Sequence, residues 1–239
     1  MDLYTIQIYW HHPYGNEYGT PESCSRLLEY INAIRGLHEA SSEWYLQGNS
    51  LSEARNHPVR DVTTLLREVH PTNKSRASGP RLGIILGLWN GRTDDYGISL
   101  RLIDGWSDDQ ARNGLFIQLP AMASNNSDLF NHVIFYRFIV SSIKVWSPYW
   151  ASALPFGYEG EKSVFRDRRG VGWMTYVNAI VEDSSLGNVV PDRIERLPNG
   201  SGTMITTTGD MFSADNVEHV DKANQIEIGL ASMGLLPKI

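Results

Sequence analysis

Residues 81–120 read RLGIILGLWNGRTDDYGISLRLIDGWSDDQARNGLFIQLP, and three strand patterns follow one another here with turn chemistry between them. Leu82, Ile84, Leu86 and Leu88 alternate along the first, Ile98, Leu100 and Leu102 along the second, and Leu115, Ile117 and Leu119 along the third. A period of two favours strands over helices. Asn90-Gly91 follows the first pattern and Asp104-Gly105 the second, and such pairs accept the positive φ that reverses a chain between strands. The stretch predicts an antiparallel meander. The rest of the chain supplies helices, so the expected class is α+β: an antiparallel sheet including a central meander, with helices packed on its faces.

Upstream, Tyr4, Ile6, Ile8 and Trp10 share one face of a first strand, with Thr5, Gln7 and Tyr9 on the other. Thr20 then stands as N-cap and Pro21 as first helical residue. Cys24, Leu27, Leu28, Ile31, Ile34 and Leu37, at spacings of three and four, form one apolar helical stripe. A short strand is expected around Trp44-Tyr45-Leu46, and a second helix from Pro58 to the stop at Pro71. Residues 71–80, polar and closed by prolines, are the best linker candidate within one domain spanning 1–239.

Downstream, Asn126 or Ser127 is expected to cap a buried helix over about 128–145. Residues 159–169 read as a charged, solvated ion-pair loop. Strands are expected over 170–177 and 203–208, and a last helix over about 216–233, stopped by Gly234 and Pro237.

The composition narrows the function. The chain has 239 residues, 41% hydrophobic and 20% charged, enough to bury a full core. A formal charge of −6, from 21 Lys plus Arg against 27 Asp plus Glu, disfavours a sequence-independent grip on nucleic-acid phosphates and favours a basic partner. With one cysteine, Cys24, no intrachain disulfide forms and a cysteine-based zinc site lacks ligands. No stretch approaches the roughly 20 apolar residues of a membrane span, and no signal peptide is evident at Met1, so the expectation is a soluble cytoplasmic protein.

Catalytic templates find no support. The seven histidines form no helical metal pair, and neither a G-x-S-x-G elbow nor a phosphate loop is present. Cys24 on an apolar helix face is a poor nucleophile. No cofactor or metal is therefore expected. A small hydrolase built from dispersed His11, His12, Asp94 and Asp95 is the alternative. The acidic turns, Asp94-Asp95 on one side and Asp104, Asp108 and Asp109 on the other, lie at opposite ends of the strand between them, about 20 Å apart, too far to share a metal. They suit a basic protein partner, with Trp106 as an aromatic anchor.

Four stretches carry a resemblance: Gly87-Leu88-Trp89-Asn90-Gly91, Arg169-Gly170-Val171-Gly172-Trp173-Met174-Thr175-Tyr176-Val177, residues 202–209, and Met233-Gly234-Leu235-Leu236-Pro237. Together they resemble the immunity protein 52 family of bacterial polymorphic toxin systems, loosely and over most of the chain. The resemblance implies an α+β fold, no catalysis, and tight binding of a cognate toxin, typically a restriction-endonuclease-like nuclease delivered by a contact-dependent (type VI) secretion system. Neutralisation by occluding the toxin's active site and by preventing its assembly are both compatible with it. The residues expected to hold the toxin are Asp94, Asp95, Asp104, Trp106, Asp108 and Asp109.

Overall fold

The structure is a computed structural model describing residues 3–11, 20–48, 50–74, 84–92, 94–105, 113–123 and 125–239. Leu82, His12, Trp106, Asp108 and Asp109 lie outside them. The elements in chain order are β1 (Leu3–Trp10), α1 (Thr20–Ile34), β2 (Tyr45–Leu46), α2 (Leu51–Arg55), α3 (Val62–Lys74), β3 (Ile84–Trp89), β4 (Ser99–Asp104), β5 (Asn113–Ala121), α4 (His132–Trp146), β6 (Trp150–Pro155), α5 (Tyr158–Glu161), β7 (Met174–Val177), β8 (Arg193–Arg196), β9 (Thr203–Thr206) and α6 (Val217–Ser232).

The described strands form one nine-stranded sheet in the order β2-β3-β4-β5-β1-β6-β7-β9-β8. Every pairing in it is antiparallel. The class is α+β, as the alternation in 81–120 predicts. The meander β3-β4-β5 fills one half, and β1 is the middle strand, bonded to β5 on one side and β6 on the other. Gly91 and Gly105 take φ of +75° and +83° at the two predicted turns, a region other residues enter at a steric cost.

The inner face carries Tyr4, Ile6, Ile8 and Trp10 of β1 with the alternate leucines and isoleucines of β3, β4 and β5, all buried. Burying each such side chain stabilises the fold by roughly 1.5–3 kcal/mol. Helix α4 packs on this face: Trp146 stacks on Trp10 at 4.8 Å between ring centroids, and Phe135 meets Tyr4 edge-on at 5.6 Å. Helix α1 lies on α4 and α3 through the expected stripe, with Cys24, Leu27, Ile31 and Ile34 buried.

The outer face is divided. Around β6 and β7, the outward Trp150, Ser152, Leu154, Thr175 and Val177 are buried. Residues 158–171 lie against them, with Ser152 donating to Gly170 O at 3.0 Å, and α6 in turn holds this segment through Glu227. On β3 and β4, by contrast, Ile85, Gly87, Trp89, Ser99 and Ile103 are only half-buried and Arg101 is exposed; on β5, Phe116 is half-buried and Gln118 exposed.

Several expectations change. Helix α3 begins at Val62, because Asp61 accepts the Thr64 N–H at 2.8 Å as a cap while Pro58 bridges to Tyr45. It also continues one turn past Pro71, which forfeits only one ladder bond. Helix α4 begins at His132 behind Asn131, whose Oδ1 accepts the Val133 N–H at 2.8 Å. The region 170–177 becomes a strand only from Met174, and β6 and β8 were not expected at all. Residues 159–169 are not a fully solvated loop: they begin in α5, with Glu159 mostly and Arg169 almost wholly buried.

Candidate functional site

The acidic turn after β3 is built around Asn90, which is buried and spends its whole amide on the turn. Its Oδ1 accepts from the Ile98 N–H at 3.0 Å and the Arg92 N–H at 3.2 Å. Its Nδ2 donates to Ala40 O at 2.8 Å and Tyr96 O at 2.7 Å. Asn126 braces the same turn from the α4 approach, donating to Asp95 O and Ala121 O and accepting the Ala123 N–H at 2.6 Å. A 3-10 turn over Asp94–Tyr96 results, with the Asp95 side chain exposed and accepting from Asn125 Nδ2.

Beside it lies a polar network the sequence did not announce. Tyr96 donates to Asp128 Oδ1 at 3.1 Å and also bonds Asn125 O. His38 Nε2 meets Asp128 Oδ2 at 3.0 Å, and Arg92 pairs with Glu39 at 2.8 Å while lying 4.9 Å over the Tyr96 ring. The bond from His38 holds the Asp128 carboxyl below its ordinary range. Desolvation and then the donation to Asp128 raise the Tyr96 phenol. The His38 Nδ1 accepts the Ala40 N–H at 3.0 Å, so its proton sits on Nε2 toward Asp128. Both ring nitrogens are committed, which leaves His38 no lone pair for general-base work.

Asp104 corrects the sequence reading. It is 3% exposed at the end of β4, on the inner face with Leu100 and Leu102, and accepts from Trp10 Nε1 at 3.1 Å. It is a core acceptor for a buried indole and is not presented to a partner. Burial, followed by the Asp104 charge, pushes the Cys24 thiol up to about 12, which suits a core residue and not a nucleophile.

The strand register places the remaining candidates. Ser99, next to the Asp94-Asp95 turn, pairs with Gln118, which pairs with Thr5, whereas His11 follows Trp10 opposite Asn113. Across that length of β1 the two ends stand roughly 20 Å apart. The dispersed site of His11 with Asp94 and Asp95 is therefore not brought together, and the His11 ring stacks on Tyr149 at 4.3 Å. Among the described residues, no group of three or more His, Cys, Asp or Glu is placed to hold a metal ion. No described helix is long and apolar enough to cross a membrane.

A second cluster, on the covered half, was also missed. Glu227 of α6 is fully buried and accepts the Val164 N–H at 2.8 Å and the Val171 N–H at 3.0 Å. Glu159 accepts the Gly170 N–H at 2.9 Å and lies 3.8 Å from Arg169, whose guanidinium sits 3.9 Å over the Tyr9 ring. Desolvation raises the Glu227 carboxyl to about 7 despite its N–H donors, with the Glu159 charge adding to the rise. This cluster fastens residues 158–171 to the sheet.

The turn thus joins buried amide braces, a His38 with both ring nitrogens hydrogen-bonded, and an exposed Asp95. The chain belongs to the Immunity protein 52 family, whose model matches residues 2–239. Its fold is similar to that of the Pseudomonas aeruginosa T6SS protein PA0821, at 10% identity and a TM-score of 0.54, over 96% of this chain and 75% of that one. No curated protein matches it in sequence.

Proposed function

We propose that this chain is an immunity protein that binds and neutralises a cognate toxin in the cytoplasm and has no catalytic activity of its own. The observation that carries the reading is the family match across residues 2–239. The fold likeness to a T6SS protein supports a toxin delivered by type VI secretion. A charge of −6 supports a basic toxin, and a nuclease, which must grip phosphates, fits that description. A single buried cysteine suits a reducing compartment.

For the contact, the proposal keeps the Asp94-Asp95 turn, where Asp95 is exposed and its backbone braced. Trp106, Asp108 and Asp109, between β4 and β5 in the chain, complete the contact, while the buried Asp104 takes no part in it. Turn carboxylates steer a basic partner into encounter, and the braced backbone lowers the entropy lost on docking.

The test expresses the product of the gene immediately upstream, with growth arrest scored first. Co-expression with this chain is expected to restore growth of cells producing that protein, and the two should co-purify. Failure of both, with a metabolic operon around the gene, would overturn the reading in favour of an enzyme.

A further inference from the structure

We infer that the partly exposed half of the outer sheet face, centred on Arg101, seats the toxin by receiving a carboxylate of that partner set among apolar side chains. The inference rests on the immunity reading and names the surface it uses.

Arg101 is exposed in the middle of β4, between Gly87 and Phe116 on the flanking strands and between Ser99 and Ile103 along its own. Ile85, Ile103, Trp89 and Phe116 surround it, each half-buried and so partly open to solvent. A second guanidinium stands at the border: Arg55 lies 6.0 Å over the Trp89 ring, held there by bonds of 3.2 and 2.8 Å to Gly91 O. None of the outward positions of β3, β4 and β5 is acidic. Among the described residues, no carboxylate lies within ion-pair distance of Arg101.

In a chain of net charge −6, this partly exposed face thus sets two guanidinium groups, Arg101 and Arg55, amid aromatic and aliphatic side chains. Interface centres are rich in Arg, Trp and other aromatics because such groups bury large areas and still satisfy a planar, bidentate acceptor. Charge complementarity makes that acceptor a carboxylate. The exposed Asp95 stands past the Trp89 end of the same strands, at the border of this face.

The experiment titrates the purified product of the upstream gene, inactivated for safe handling, against the full chain and its Arg101→Glu, Arg101→Gln and Arg101→Lys variants, with thermal unfolding of each. Arg101→Glu is expected to weaken binding at least tenfold, mainly through faster dissociation. Arg101→Gln should fall between it and the wild type, and Arg101→Lys should retain most of the affinity. Unfolding midpoints should not move. If Arg101→Glu and Arg101→Gln both bind as the wild type does, the inference is overturned while the immunity reading stands. Self-association of the wild type that Arg101→Glu abolishes, with toxin binding intact, would make the face a contact between copies and also overturn it. No binding by the wild type removes the immunity reading, and this inference with it.

Discussion

One outer sheet face carries two surfaces made in opposite ways. Over β6 and β7, Ser152 donates to Gly170 O at 3.0 Å, Tyr158 to Asn224 at 3.2 Å, and Glu227 takes two backbone N–H groups from the covering segment. Over β3 to β5, Ile85, Trp89, Ile103 and Phe116 are half-buried and Arg101 and Gln118 exposed. The sealed half obtains its order from buried charge fixed by hydrogen bonds, which is stable only while every partner is in place. The open half obtains its order from the inner face beneath it, where Leu86, Leu100, Leu102 and Ile117 are buried. Substitutions on the sealed half should therefore be felt by folding, and those on the open half by binding.

The largest contrast is expected from two glycines. A Cβ on Gly172 would stand 2.0 Å from Ala153 O and 2.7 Å from Leu154 Cβ, so backbone must move. Gly172→Ala is expected to destabilise by about 3 kcal/mol or more. For a Cβ on Gly87 of the open half, the three nearest atoms belong to the end of the exposed Gln47 side chain, with Oε1 at 2.2 Å, and Gln47 can swing away. Gly87→Ala should cost less than about 1 kcal/mol, part of it offset by the reduced freedom of the unfolded chain. Urea unfolding of both variants measures the difference, and equal costs would mean that the two halves are sealed alike.

Acidity sharpens the contrast next. The Glu227 carboxyl is raised from 4.5 to about 7 in the folded protein. Below 4.5 it is protonated in both states, and its contribution to stability is complete. Between 4.5 and 7 the folded state keeps a proton the unfolded chain has released, so stability falls as pH rises; above 7 the loss is complete. It amounts to roughly 3 kcal/mol at most. Wild-type stability measured from pH 5 to 8 should decline relative to that of Glu227→Gln, and parallel curves for the two proteins would show that the buried carboxyl is not the source.

The same division explains what the sequence could express. The open half was readable because one face is buried and the other is not: 84–89 and 99–104 alternate strictly in burial. Strand β6 was invisible because all six of its residues are buried, which leaves no period of two, and its Ala151, Ser152 and Ala153 are small. Strand β8 hides for the opposite reason, as a four-residue charged edge. The last helix was legible from its stop: it runs Val217–Ser232, and Gly234 turns at φ +72°. At the site, the exposed Asp95 was legible from turn composition, but Asp104 was misread as a turn acid although its alternation with Leu100 and Leu102 points it inward. Glu227 carried a similar signal, standing in the apolar stripe between Ala223 and Leu230. The network of His38, Tyr96 and Asp128 joins three distant segments and left no local mark.

The smallest effect on folding is expected where the sequence reading placed the partner. Asp95 is exposed, and its backbone carbonyl, not its carboxylate, receives the brace from Asn126. Its carboxylate bonds only the exposed Asn125 side chain among the described residues. Charge reversal of the turn as Asp94→Lys with Asp95→Lys should therefore change stability by no more than about 0.5 kcal/mol. Its effect should instead fall on association: steering charges act over a Debye length of about 10 Å at 0.1 M salt and are screened beyond it. Stopped-flow binding of the product of the upstream gene at low and moderate salt is expected to show a slower on-rate for the double variant at low salt, converging on the wild type as salt rises. The off-rate should stay unchanged, because the turn borders the contact without forming its centre. An altered off-rate with an unaltered salt dependence would move the Asp94-Asp95 turn into the contact itself, and identical kinetics throughout would leave the segment of Trp106, Asp108 and Asp109 as the remaining acidic candidate.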